Sequence, residues 1–302
     1  MGDLIIQWSG TPAGEALALV LALLSAMAHA IFGAINKGGI DPYYNRGSIN
    51  ISYSLMAAPF ALFVFPWPDL ELFKILCVTY LVHLLYEWLQ TLSFAKGAFT
   101  VVYPIARGTG PLITALGAVA IFGEHLALLQ WSGLILLSGS IFLLALVNYR
   151  LAVRNNQNIN GLREAVTAAF FTGVMIAAYT TIDAYGIRLA ADPFTFLAWF
   201  LLMGGFGFPL IAAHRWLTTS DHPPIPDLVM RGIFGAIIGI ISFGSIMLAS
   251  RLGKVAEAAT LRETSIIFAT GIGVLIFREK IGLPALILIG LIALGAILVK
   301  VG

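Results

Sequence analysis

The sequence predicts an all-α polytopic membrane protein with ten transmembrane helices, on three observations. Apolar residue types make up 59% of the 302 residues and charged types only 11%, where a soluble globular chain carries roughly 25% charge. The mean hydropathy is +0.94, and a soluble fold of this length could not hide so much apolar side chain from water. Ten apolar windows recur with short polar breaks: 15–37, 47–66, 72–94, 99–122, 128–148, 165–187, 193–214, 228–248, 256–277 and 283–300. These windows are continuous, unlike the alternating segments of a β-barrel. A helix satisfies its own backbone in lipid, and about 20 residues at 1.5 Å rise cross the hydrocarbon core.

Taken in order, the first window contains Ala26, Ala28 and Ala30 at the spacing of a signal-peptide cleavage site. The residues before it hold Asp3 and no Lys or Arg, so it is expected to be a retained helix, since a signal n-region is basic. Turns follow at Gly38-Gly39-Ile40-Asp41-Pro42 and Pro66-Trp67-Pro68-Asp69. The third window has a polar stripe, Tyr80, His83, Glu87 and Gln90, on one helical face. In the fourth, Pro104, Gly108, Gly110 and Pro111 surround Arg107 and are expected to free backbone carbonyls beside protein or a wet cavity. The longest polar stretch, 149–164, includes Asn155-Asn156-Gln157-Asn158 and reads as a linker between halves 15–148 and 165–300. Gly235 and Gly239 in the eighth window read as a close helix crossing within a monomer.

The two halves resemble each other. A shift of 155 residues places Arg107 on Arg262, Thr109 on Thr264, Lys96 on Arg251, and Phe122-Gly123-Glu124 on Phe277-Arg278-Glu279. Several matches in register indicate a repeat. Five helices per repeat is odd, so the second half must enter the bilayer inverted. That is the architecture of many secondary transporters, whose sites lie near the midplane between repeats.

The run Tyr103-Pro104-Ile105-Ala106-Arg107-Gly108-Thr109-Gly110-Pro111, with Gly117 and Phe122-Gly123-Glu124, resembles the EamA-type repeat of the drug/metabolite transporter superfamily. The second copy, Ala259-Thr260-Leu261-Arg262 through Phe277-Arg278-Glu279, is similar but looser. The resemblance implies a ten-helix carrier of small metabolites, exporting or exchanging them, often against protons. It also implies a multi-pass protein of the cell (inner) membrane. One departure stands in the first helix, where His29-Ala30 replaces the Trp-Gly often found in the family. Pocket chemistry at that position is not carried over.

Ionisable groups inside a bilayer are costly unless paired or hydrated, which makes them functional candidates. Within the windows these are Glu87, Arg107, Asp183, Arg262 and Glu263, together with His29 and His83. Arg107 sits about 5 Å before the centre of its window and Glu87 about 6 Å past its own, and these helices run in opposite directions. Their depths therefore coincide, and an Arg107–Glu87 contact is expected. The same arithmetic groups Arg262, Glu263 and Asp183 in the other leaflet. Tyr103 and Tyr179 fall one turn before Arg107 and Asp183 and join the candidate substrate site. Two arginines against three carboxylates leave an excess negative charge that one proton would cancel, with Glu87 and Glu263 as candidate proton carriers.

These features favour a secondary carrier of a small polar metabolite that is amino acid-like, a carboxylate or a phosphonate. Guanidinium suits forked binding of such anions, and no Gly-x-x-x-x-Gly-Lys-Ser/Thr is present to couple ATP. An intramembrane enzyme using His83 and Glu87 is the alternative, but His-Glu-x-x-His and Gly-x-Ser-x-Gly are missing and no enzyme is expected. A channel or scaffold is the third class, and no filter-like segment supports it. A net charge of +2 without a basic run excludes a nucleic-acid partner. The single Cys77 excludes a Cys-based metal cluster. No cofactor or metal is expected. The partners expected are a small-molecule substrate, the lipid bilayer and protons, for a monomeric chain.

Overall fold

The computed structural model describes residues 2–37, 40–97, 99–154, 159–275 and 282–302. Its elements are helices throughout: α1 (Gly2–Trp8), α2 (Pro12–Lys37), α3 (Pro42–Pro59, continued by a π-helical turn Phe60–Val64), α4 (Leu70–Lys96), α5 (Phe99–Phe122), α6 (Leu128–Arg154), α7 (Ile159–Leu189), α8 (Pro193–Gly204), α9 (Phe208–Thr218), α10 (Ile225–Leu252), α11 (Val255–Arg262), α12 (Ser265–Leu275) and α13 (Leu283–Val301). Among the described residues, nine segments are long and apolar enough to cross a membrane, with α8 and α9 forming one of them. The window 256–277 is occupied by two half-helices, α11 and α12. The chain is an all-α, polytopic membrane protein.

Local chemistry explains the boundaries. Asp41 caps α3 by accepting from the Tyr43 N–H at 2.9 Å, and Pro42 opens the helix at a position that needs no donor. Asp192 and Pro193 open α8 in the same way. The pause between α8 and α9 falls on Gly205-Phe206-Gly207. A Cβ on Gly205 would lie 2.2 Å from the Ser54 Cβ, so the bend can press against α3 only with glycine there. The pause between α11 and α12 contains neither Gly nor Pro. Thr264 donates its hydroxyl to the Leu261 carbonyl at 2.6 Å, while the Glu263 and Thr264 N–H groups bond three residues back. That is a 3₁₀ step in mid-helix, a form often found at functional hinges.

α5 runs unbroken through Pro104 and Pro111, and each proline still leaves a carbonyl one turn back without its N–H; an interruption lies in the counterpart window, at Glu263-Thr264. α5 packs closely on α7: a Cβ on Gly173 of α7 would lie 2.6 Å from the Ala106 carbonyl oxygen, so the two backbones nearly touch. The mid-chain polar stretch is largely helical, continuing α6 to Arg154 and starting α7 at Ile159. Residues 155–158, Gly38-Gly39 and Phe277-Arg278-Glu279 lie outside the described residues. Gly235 and Gly239 face Ile49 and Phe32 of the same chain, as expected of a crossing within the monomer.

The spans pack in a reciprocal pattern. α2 lies against α10 and the α11–α12 pair, while α7 lies against α4 and α5; α6 lies against α13. The Phe122-Gly123-Glu124 motif ties one half of the chain to the other. Gly123 adopts φ +63°, the left-handed conformation that ends a helix, and so turns the chain out of α5. Glu124 then accepts the Val255 N–H at 2.7 Å and the Ala256 N–H at 3.1 Å, capping α11. Arg188 stands 3.6 Å from the same carboxylate. Replacing Glu124 with Ala should cost about 1–2 kcal/mol, the range for loss of an N-cap. Thermal unfolding in detergent is expected to show a lower midpoint, partly restored by Gln; an unchanged midpoint would contradict the cap's role.

Candidate functional site

All nine residues singled out in the sequence are buried at the centre of the helix bundle, and none is more than 6% exposed. His29 comes from α2, His83 and Glu87 from α4, Tyr103 and Arg107 from α5, and Tyr179 and Asp183 from α7. Arg262 closes α11, and Glu263 forms the step that follows it.

Their pairing differs from the expected one. Glu87 does not pair with Arg107. It accepts from Arg46 Nη2 at 2.8 Å, from Asn50 Nδ2 at 2.7 Å and from the Tyr53 hydroxyl at 3.4 Å. Arg107 reaches across the bundle and donates from Nη1 to Glu263 Oε1 at 2.9 Å. Asp183 bonds through Oδ2 to His83 Nε2 at 2.8 Å. Arg262 donates to the Tyr179 hydroxyl at 3.3 Å and meets His29 Nδ1 at 3.2 Å. Axial depth, which the sequence supplies, cannot say which faces turn toward each other, and a long guanidinium side chain spans the remaining offset.

Arg46 is the residue that sequence reasoning missed. It is 2% exposed, and the second apolar window, which opens at residue 47, leaves it just outside. The signal was present in Asp41-Pro42, a helix start that places Arg46 one turn inside the span. With Arg46 included, the buried centre holds three arginines (Arg46, Arg107, Arg262) and three carboxylates (Glu87, Asp183, Glu263) among the described residues. The expected negative excess is thereby removed.

Aromatic rings line the space between these charges. Tyr179 lies 4.4 Å from His83 and 4.9 Å from Tyr86, measured between ring centroids. Arg262 lies 5.0 Å from the centroid of Phe243, Arg46 5.3 Å from Phe32, and Arg107 5.6 Å from Tyr103, all cation–π distances. Tyr103 also bonds to Ser265 at 3.2 Å, which ties α5 to the start of α12. Several buried polar atoms have no partner among the described residues: Arg46 Nε and Nη1, Arg107 Nη2, Arg262 Nε, Asp183 Oδ1 and Glu263 Oε2. Buried donors of this kind normally find a partner in protein, water or ligand. Among the described residues no cluster of His, Cys, Asp and Glu is suited to a metal ion.

A bundle of apolar spans around a buried charged centre defines a multi-pass membrane protein with an internal polar site. Residues 163–301, a little under half of the chain, match the model of the EamA-like transporter family, so this half is similar to the EamA-type transporters of the drug/metabolite transporter superfamily. The match falls on the half whose motif is the looser copy. A solved structure described as "Crystal structure of protein" is similar over 96% of this chain and 98% of its own, with a TM-score of 0.70 and 16% identity; that likeness concerns the fold alone. No curated protein matches the chain.

Breaking a buried ion pair from one side leaves an uncompensated charge and typically costs about 3–5 kcal/mol. Glu87→Gln should therefore destabilise the protein strongly. Arg46→Gln combined with Glu87→Gln should recover much of that loss. A double-mutant cycle by thermal unfolding in lipid nanodiscs measures this, and a coupling below about 0.5 kcal/mol would contradict the pairing.

Proposed function

We propose that the protein is a secondary active transporter of a small polar metabolite bearing an anionic group, amino acid-like, carboxylate or phosphonate in type. The observation that carries this reading is the convergence of Arg46, Arg107 and Arg262 on one aromatic-walled centre with guanidinium N–H groups left over. A guanidinium offers planar, forked donors that match carboxylate and phosphonate oxygens, and three of them exceed what packing alone requires. Glu263 Oε2 and Asp183 Oδ1 are available to a cationic group of the same substrate.

Transport proceeds by alternating access in the cell (inner) membrane, coupled to protons or to exchange. The reciprocal packing of α2 with α10 and of α7 with α4 supports a reading as two inverted repeats, 15–148 and 165–300. The interruptions at Gly205–Gly207 and Glu263-Thr264 supply hinge points next to the site. The cross-half pair Arg107–Glu263 is placed to respond when an anion arrives and competes for the guanidinium.

A thermal-shift screen of the purified protein against amino acids, dicarboxylates, phosphonates, nucleosides and quaternary amines should pick out acids, because bound ligand raises apparent stability. Arg107→Gln and Arg262→Gln should each weaken binding of the selected acid by more than about tenfold, that is, more than about 1.4 kcal/mol. Both should abolish uptake into proteoliposomes, with folding checked by size-exclusion profile and Arg107→Gln read beside the double variant Arg107→Gln/Glu263→Gln, which strands no buried charge. Wild-type affinity and uptake in both folded variants would overturn the assignment.

A further inference from the structure

The three buried carboxylates are not held alike. Glu87 is gripped by Arg46 at 2.8 Å and Glu263 by Arg107 at 2.9 Å. Asp183 is held by an imidazole, His83, at 2.8 Å, and its Oδ1 has no partner among the described residues. The third guanidinium, Arg262, donates only to neutral groups, the Tyr179 hydroxyl and His29 Nδ1. The Tyr179 ring also lies against His83, tilted by 32° at 4.4 Å between centroids, and so links the cation to the His83–Asp183 pair without a direct ion pair.

With both histidines neutral, three arginines balance three carboxylates. An anion that docks on Arg262 then adds one uncompensated negative charge inside the bilayer, which is expensive. One proton would cancel it. Protonating Glu87 or Glu263 would strand a buried guanidinium, a large cost. Protonating His29 would forfeit its acceptor role toward Arg262 and place a second cation 3.2 Å from that guanidinium. Protonating His83 turns its bond to Asp183 into a full ion pair and strands nothing. Resting on the transporter reading above, we propose that the His83–Asp183 pair is the proton-binding site, loaded together with an anion on Arg262, so that a monoanion crosses as a neutral complex with one proton.

The surroundings of His83 suit this role. A cavity of ≈20 Å³, lined by Tyr53, Tyr80, His83, Glu87, Met203 and Gly204 among others, reaches the imidazole and has room for about one water. The charged and titratable groups around His83 are Tyr80, Tyr86 and Glu87 on its own helix, Tyr53 on α3, and Tyr179 and Asp183 on α7. α8 and α10 contribute the rings of Phe200 and Phe243. Arg46 stands beyond Tyr86, 5.8 Å from that ring's centroid, and is occupied by Glu87. Histidine is the side chain that changes charge across the physiological pH range.

Proton uptake by the purified full-length protein in lipid nanodiscs tests this, read with an indicator dye in weakly buffered solution at pH 7. The probes are methanesulfonate and L-lactate, neither of which brings its own proton. About one proton should be taken up per anion bound, as linkage requires. His83→Gln and Asp183→Asn should each remove the uptake. Binding without uptake, or uptake lost in Glu87→Gln or Glu263→Gln but kept in His83→Gln, would overturn the proposal. If neither probe binds, the anion reading fails for them. The proton site is then decided by ¹⁵N-imidazole NMR of the wild type, with the His83 signal assigned by its loss in His83→Gln. A His83 that turns from neutral to charged when the acid selected by the thermal-shift screen binds supports the site; one charge state with and without that acid overturns it.

Discussion

A charge in hydrocarbon must find its opposite or a dipole inside the protein, and the bond from Arg107 to Glu263 meets that demand across the middle of the chain. Each partner alone would be a costly ion in a dry interior. Together they bind α5 to the step between α11 and α12, and the other charged groups arrange themselves around that contact. Tyr103 packs beneath Arg107 and bonds to Ser265 at the start of α12. Arg262, immediately before Glu263, turns toward α7 and α2 through Tyr179 and His29. One ion pair thus fixes where α5 meets the step between α11 and α12, and with it the positions of Tyr103 and Arg262.

Stability and function pull on the same groups. Glu87 with Arg46 and Asn50, and Asp183 with His83, are well enough satisfied to hold α3, α4 and α7 together. The guanidinium edges of Arg46, Arg107 and Arg262 that lack partners are surplus to that structural need. On the proposed transport function, surplus donors in a buried centre would serve a transient anionic guest, and their placement beside two helix interruptions would put recognition next to movement. Glu124 on α11 applies the same economy at one end of the bundle, where a side chain from the first half closes a helix of the second.

Much of this was legible in the residues themselves. Hydropathy and window length set the helices, because a bilayer imposes one length on every span. Helix register set the depths, so that His29, His83, Glu87, Tyr103, Arg107, Tyr179, Asp183, Arg262 and Glu263 were all placed inside before any packing was known. Register does not give azimuth, and for that reason the partners of Glu87 and Arg107 were misjudged. Arg46 escaped because an apolar window opens later than the helix does; the Asp41-Pro42 cap was the better boundary. Helix interruption was harder to read: α5 keeps two prolines in an unbroken helix pressed against Gly173, whereas the step at Glu263-Thr264 rests on a threonine hydroxyl that competes for a carbonyl. Such competition is too common in sequences to be read as a break.

The central claim is that the three arginines receive the anionic group of the transported metabolite. An experimental structure of the protein with a transported acid bound tests it most directly. The account predicts the acid's oxygens within about 3 Å of guanidinium nitrogens of Arg262 and of at least one of Arg46 and Arg107, with the bound group inside the aromatic lining. A transported acid found elsewhere in the bundle, with the three guanidiniums still bonded to Glu87, Glu263, Tyr179 and His29, would contradict it.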